Sequence, residues 1–155
     1  ETTAAEELAH LSTGRFGLAY QYHSQPDKLE QVYEILQETF SLLGQNLVER
    51  LAYVEKLSEN RRKGESRELI RQVLQTWLLV WRDILLLVSG STAPVIYVQF
   101  QGWSRKVADG ISLEEALGII CSLENALVQL DANVNVRLLL ENTVIAWPHV
   151  TINPK

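Results

Sequence analysis

Apolar side chains recur at three- and four-residue spacing along most of the chain, which predicts a series of amphipathic helices. Ser24 can cap the first long helix, and Pro26 suits its first turn. The negative charge of Asp27 suits the positive end of the helix dipole. Its apolar stripe comprises Leu29, Val32, Tyr33, Leu36, Phe40 and Leu43. Residues 3–23 should form two shorter helices before it.

A second amphipathic helix is predicted after Gly44, and the polar run from Ser58 to Glu65 should end it. Its inward positions are expected to be Leu47, Val48, Leu51, Val54 and Leu57. The charged residues expected to face outward are Glu49, Arg50, Glu55 and Lys56.

The third predicted helix, from about Ser66 to Ser89, is apolar on nearly every side in its C-terminal half. Such a helix should be central in the domain or should face a partner. Arg82 and Asp83 interrupt the apolar half, where a charge is costly unless it is paired and hydrogen-bonded. Either one of the two points to solvent, or one bonds a neighbouring helix end or another subunit.

The C-terminal third predicts three more helices after a break at Gly90 to Pro94, the first being short, from about Gln99 to Ala108. Ser112 and Glu115 match a capping box. The helix after it should bury Leu113, Ala116, Leu117, Ile120, Leu127 and Leu130, with Cys121 beside them as a small core residue. Asparagine side chains can cap the last helix, whose stripe is Val136, Leu139, Leu140, Thr143, Val144 and Trp147. The fold class is therefore an all-α bundle of about five to seven helices.

Composition supports one sizeable core, because 46% of the 155 residues are hydrophobic and only 21% are charged. The net charge of -5 argues against direct contact with nucleic acid, which requires a basic face. The single cysteine excludes an internal disulfide, and three scattered histidines suit no zinc site. We expect no metal, no cofactor, no membrane contact and a cytoplasmic location. The lack of any methionine suggests a fragment of a longer protein.

Catalytic groups are not predicted anywhere in the chain. The three histidines lie in the N-terminal segment, at its end and beyond the last helix, and nothing links them into a nucleophile–base arrangement. The carboxylate pairs Glu6-Glu7 and Glu114-Glu115 stand where acidic groups stabilise helix N-termini. The run from Gly14 to Gly17 lacks the strand and further glycines of a phosphate-binding loop.

Three segments of the chain together resemble one family. The first is Thr13-Gly14-Arg15-Phe16-Gly17-Leu18-Ala19-Tyr20, at a junction between two short helices. The second, from Trp77 to Leu86, is a Trp-rich helix that contains Arg-Asp, and the third, from Leu130 to Glu141, contains an Asn-x-Asn-x-Arg pattern. In this order and spacing they resemble the delta-prime subunits of the bacterial DNA polymerase III clamp loader.

The resemblance implies that residues 1–25 are the truncated end of an AAA+ lid subdomain and that 26–155 form a C-terminal helical collar domain. In this family the collar joins the domain to the delta and gamma/tau subunits and holds the ATPase modules that load the sliding clamp in DNA replication. ATP-binding members carry a sensor arginine where this chain has Gly17, and Arg15 is out of register. The resemblance thus implies a subunit that does not hydrolyse ATP.

The same resemblance indicates residues that support the collar fold or its interfaces: Trp77, Trp81, Arg82, Asp83, Asn133, Asn135 and Arg137. The lid-helix junction comprises Gly14, Arg15 and Gly17. Two other classes stay open. One is a stand-alone helical regulatory or ligand-binding bundle with an aromatic-lined pocket between helices, and the other is an enzyme.

Overall fold

A computed structural model describes residues 10–12, 20, 22–62, 67–132 and 134–150. These residues contain six α-helices, one 3₁₀ helix and no strand, which confirms the all-α bundle. The helices are α1 Pro26–Gly44, α2 Leu47–Arg62, α3 Arg67–Val88, the 3₁₀ helix Val98–Phe100, α4 Gln101–Ala108, α5 Leu113–Asp131 and α6 Val136–Ile145.

Most of the predicted helix start signals are found in the structure. Ser112 and Glu115 form the capping box, with the Glu115 N–H 3.2 Å from Ser112 Oγ and the Ser112 N–H 2.7 Å from Glu115 Oε2. Asn135 caps α6 by accepting the Leu138 N–H. The prediction for Ser24 was wrong: its hydroxyl donates back to the Tyr20 carbonyl at 2.8 Å, and Gln25 occupies the N-cap without a side-chain bond.

Helix α3 lies at the centre of the bundle. It packs against α5 and α4 and, less extensively, against α1, and Trp77, Trp81 and Ile84 are completely buried. The helix is therefore central in the domain, one of the two predicted alternatives, and intramolecular packing explains its apolar residues as far as Ile84. The four apolar residues of its last turn, Leu85 to Val88, are only half-buried.

Helix α5 is turned differently from the prediction. Leu113 and Leu117 are 46% and 44% exposed, and Cys121 is also exposed rather than a core residue. The side chains buried on this helix are Ala116, Ile119, Leu123, Ala126 and Leu130. Because α5 carries apolar residues on two faces, spacing alone was compatible with either, and the face that includes small alanines is the one packed inward.

The N-terminal turn of α2 also departs from the prediction. Leu47 is exposed and Val48 is 77% exposed, whereas Arg50, predicted to face outward, is only 4% exposed. The reason is that the start of α2 lies against the C-terminal ends of α1 and α6, where main-chain carbonyls need donors. Arg50 supplies those donors, so the arginine turns inward and the two apolar side chains turn out.

Candidate interaction surface and the network that holds it

Arg50 is the most connected buried side chain of the described structure. Its Nε donates to the Leu42 carbonyl at 2.8 Å, and its Nη2 donates to the Leu43 carbonyl at 3.1 Å, both at the C-terminal end of α1. Nη1 lies 2.6 Å from the Trp147 carbonyl, and Nη2 lies 2.8 Å from that of Pro148, both just after α6. One guanidinium thus caps two helix ends.

The charge of Arg50 is balanced by carbonyl dipoles, because its hydrogen-bond partners in the described structure are all main-chain oxygens. Burial lowers the pKa of this guanidinium from its usual value. An arginine nevertheless stays protonated in proteins, so Arg50 keeps all of its N–H donors. A further main-chain bond, from the Val150 N–H to the Leu43 carbonyl at 2.9 Å, holds the segment after α6 in the same place.

Asp83 is the buried partner in the Arg82–Asp83 pair. Its Oδ2 accepts the main-chain N–H groups of Ile96 and Tyr97 at 2.8 and 2.9 Å, which fixes the segment that leads into the 3₁₀ helix. Arg82, which is half-buried, donates to Asp83 Oδ1 at 2.9 Å. Burial raises the pKa of the Asp83 carboxyl, although its three donors act in the opposite direction. The described partners of Asp83 are therefore within this chain.

Trp77 and Trp81 form one cluster with Trp147. The ring centroid of Trp147 lies 4.8 Å from that of Trp77 and 5.7 Å from that of Trp81, and both pairs meet edge to face. Aromatic pairs prefer this geometry, and it joins α3 to the segment after α6. The three indole N–H groups are buried and have no hydrogen-bond acceptor within the described part of the chain. These tryptophans therefore support the fold.

Arg137 joins α6 to α2 at the surface. Its Nη1 lies 2.7 Å from Glu55 Oε1, and its Nε lies 2.7 Å from Glu141 Oε1 on its own helix. Both contacts raise the pKa of the guanidinium. Asn135 caps the same helix, whereas Asn133, Gly14, Arg15 and Gly17 lie outside the described residues. The described residues that carry the family resemblance therefore all form contacts within this chain.

Exposed apolar side chains concentrate on α5. Leu113, Leu117, Cys121 and Val128 follow one another at intervals of four and seven residues, which places them along one side of the helix. All four are exposed, and Val128 is 71% exposed. We call this set the α5 outer face. Smaller exposed apolar pairs are Leu138 and Ile145 on α6 and Leu47 and Val48 on α2.

A groove lies between α3 and the elements around it. It has a volume of about 370 Å³ and is lined by Val32, Tyr97 and Leu127 together with polar and apolar side chains of α3 such as Gln72 and Gln75. The volume falls within the range of about 300–1,000 Å³ that is typical of small-molecule sites. This groove is the candidate site for the ligand-binding alternative.

The described residues contain no group of three or more His, Cys, Asp or Glu side chains placed to hold a metal ion. Within the same ranges, no helix is long and apolar enough to cross a membrane. Comparison of the chain with protein-family models, curated proteins and solved structures gives no match.

Sequence reasoning missed both the buried Arg50 and the α5 outer face. No local pattern identifies Arg50, because three of its five acceptors, the carbonyls of Val144, Trp147 and Pro148, lie on a segment that only the tertiary fold brings near α2. The α5 outer face did carry a signal: Leu113, Leu117, Cys121 and Val128 share one helical side, while Ala116, Leu123 and Ala126 share another. Recognising two apolar sides would have predicted one unpaired surface.

Proposed function

We propose that this chain is the C-terminal helical collar domain of a clamp-loader delta-prime subunit, preceded by the end of its AAA+ lid. In this proposal the domain acts by position and not by catalysis. It associates with the collar domains of the delta and gamma/tau subunits and so holds the AAA+ modules together while the sliding clamp is loaded for DNA replication. Its location is the bacterial cytoplasm, and it makes no direct contact with DNA.

The observation that carries the proposal is exposed apolar surface on a scaffold that is internally well connected. Leu113, Leu117 and Val128 stay exposed although α5 buries a complete second side against the bundle. Apolar side chains grouped on a surface are typical of a site where another protein binds. The resemblance in the segments Trp77 to Leu86 and Leu130 to Glu141 supplies the identity of the partners.

The roles of the family-like residues support the same proposal. Three of these residues stabilise different parts of the bundle. Trp77 packs at its centre, Asp83 binds the segment at Ile96, and Asn135 caps the last helix. A collar domain transmits position between subunits, and that requires a fixed relation between its helices. Buried bonds such as those of Arg50 and Asp83 provide that relation.

The test is light scattering on a size-exclusion column, first with this protein alone and then with the C-terminal domains of the delta and gamma/tau subunits of the same organism. We expect a stable hetero-oligomer with at least one of them. The matched control is an unrelated all-α domain of similar size and net charge, which should not associate. If neither subunit domain associates with the protein, the proposed function is wrong.

A second candidate function is a stand-alone ligand-binding bundle, which the groove beside Tyr97 and Leu127 favours. Under this alternative a small molecule would bind between the helices and raise the melting temperature. A thermal-shift screen with a metabolite library measures that effect. Stabilisation that disappears when Gln75 at the groove is replaced by Leu would support ligand binding, whereas a screen without any shift would contradict it.

A further inference from the structure

Acidic side chains accompany the apolar residues of the α5 outer face, and the helix carries no basic ones. Helix α5, Leu113–Asp131, contains Glu114, Glu115, Glu124 and Asp131 but neither Lys nor Arg. Glu124 lies on the same side as Cys121 and Val128, since it is three residues after the first and four before the second. Glu114 borders the face next to Leu113, and both carboxylates are exposed.

The other acidic residues of α5 are already engaged. Glu115 completes the capping box with Ser112, which lowers the pKa of its carboxyl. Asp131 pairs with Arg71 of α3, and this hydrogen bond lowers the pKa of the aspartate. Among the described residues, Glu114 and Glu124 have no partner of this kind in a hydrogen bond or salt bridge. They are therefore the charges that a docked partner would meet.

The charge pattern decides which occupant fits this face. A second copy of the chain would bring two helices without a basic residue together, so only like charges would meet across the contact. A partner helix with apolar residues at three- and four-residue spacing and Lys or Arg beside them would cover Leu117 and Val128 and pair with Glu124. From Leu113 to Val128 the face is about 22 Å long at a rise of about 1.5 Å per residue, enough for a partner helix of about four turns.

We infer that the α5 outer face is the docking site for a basic amphipathic helix of an unlike protein subunit. The inference rests on the proposed function, association with other subunits, and adds the face that binds and the chemistry of the partner. Hydrophobic contact with Leu113, Leu117 and Val128 provides the affinity, and the two glutamates select a basic partner and exclude a second copy.

The first experiment measures the chemistry of the face without a clamp-loader subunit. Two labelled model peptides are compared by fluorescence anisotropy: a Leu/Lys amphipathic helix and the same helix with Glu in place of every Lys. We expect the Lys peptide to bind and the Glu peptide not to bind. Binding of the Lys peptide should also slow alkylation of Cys121, the only thiol of the chain. Equal binding of both peptides, or binding of neither, would overturn the inference.

Matched variants show whether binding occurs on α5. Leu117→Ser should weaken binding of the Lys peptide by about ten-fold or more, since one apolar anchor is lost. The control Leu138→Ser removes an exposed leucine from α6 and should leave it unchanged. Glu124→Lys should abolish the preference for Lys over Glu, whereas Glu30→Lys, the same charge reversal on an exposed residue of α1, should not.

The same variants applied to the subunit domains separate this inference from the proposed function. If the delta or gamma/tau domain binds the wild-type protein and Leu117→Ser equally well, the docking face is wrong while the proposed function stands. If neither domain binds but the peptide results hold, the proposed function fails and the face stands. A homodimer that Leu117→Ser dissolves would show that the face binds a second copy, which overturns the inference.

Discussion

Replacing Arg50 with methionine should be among the most destabilising single substitutions in this protein. Methionine keeps much of the apolar stem but removes the donors that reach Leu42, Leu43, Trp147 and Pro148 at 2.6 to 3.1 Å. A hydrogen bond from a charged donor contributes about 1.5–3 kcal/mol, so four of them amount to roughly 6–12 kcal/mol. Burying the guanidinium cancels several kcal/mol of that sum.

The net loss of unfolding free energy should therefore be about 3–5 kcal/mol, which lowers the melting temperature of a chain of this length by roughly 10 °C. Urea denaturation followed by far-ultraviolet circular dichroism measures it. The stability of Arg50→Lys should lie between that of the wild-type protein and that of Arg50→Met, because one ammonium group has three donors and cannot span both helix ends.

Arg137→Met is the matched control for this experiment. It is the same substitution at another arginine that joins α2 to α6, but Arg137 is exposed and bonds two exposed or half-exposed carboxylates. Exposed ion pairs contribute little, so this variant should be nearly as stable as the wild-type protein. The reasoning would be refuted if Arg50→Met unfolded within error of the wild-type protein, or if Arg137→Met lost as much stability.

Substitutions at three further positions test the supporting network. Asp83→Ala should cost about 3 kcal/mol because it leaves the buried Ile96 and Tyr97 N–H groups without an acceptor, whereas Asp83→Asn should cost less, as measured by urea denaturation. Burial raises the pKa of the Asp83 carboxyl above its usual value, so this group contributes most to stability at low pH. That contribution is lost as the pH rises through the folded-state pKa. The stability difference between the wild-type protein and Asp83→Asn should therefore shrink as the pH is raised through this range. Trp147→Ala should cost about 3–5 kcal/mol, and Trp147→Phe much less, because phenylalanine keeps an aromatic ring and removes an unpaired N–H. Ser112→Ala should cost about 1 kcal/mol and should be rescued by Asp at the same position, since aspartate also caps helices.

The helices of this protein could be predicted from its sequence because their signals are local. The Ser112–Glu115 capping box, Pro26 in a first turn and Asn135 before the last helix each act within four residues. Their structural roles follow from main-chain geometry that hardly depends on the rest of the fold. The positions of these helices along the chain could therefore be predicted without knowledge of the tertiary structure.

The orientation of individual side chains depended on contacts that are distant in sequence. Arg50 turns inward because segments near residues 42 and 147 present unpaired carbonyls to it, and the second of these lies almost a hundred residues away. A helical pattern predicts that an arginine faces water, since it contains no information about which helix ends will be near. The same limit applies to Asp83, whose acceptor role depends on the return of the chain at Ile96.

The surface of α5 shows how an error of orientation changes the functional interpretation. If Leu113 and Leu117 were buried as predicted, the opposite apolar side of α5, with Ile119, Leu123 and Ala126, would face outward, and the exposed apolar surface would be a different one. Because Ile119, Leu123 and Ala126 are buried instead, α5 packs against the bundle without Leu113 and Leu117. Burying a leucine side chain contributes about 1.5–3 kcal/mol, so two left on one exposed side are surface that a partner can use to bind. Assembly would then depend mainly on α5 rather than on α3, the helix whose composition first indicated a partner, since the bundle already buries α3 as far as Ile84.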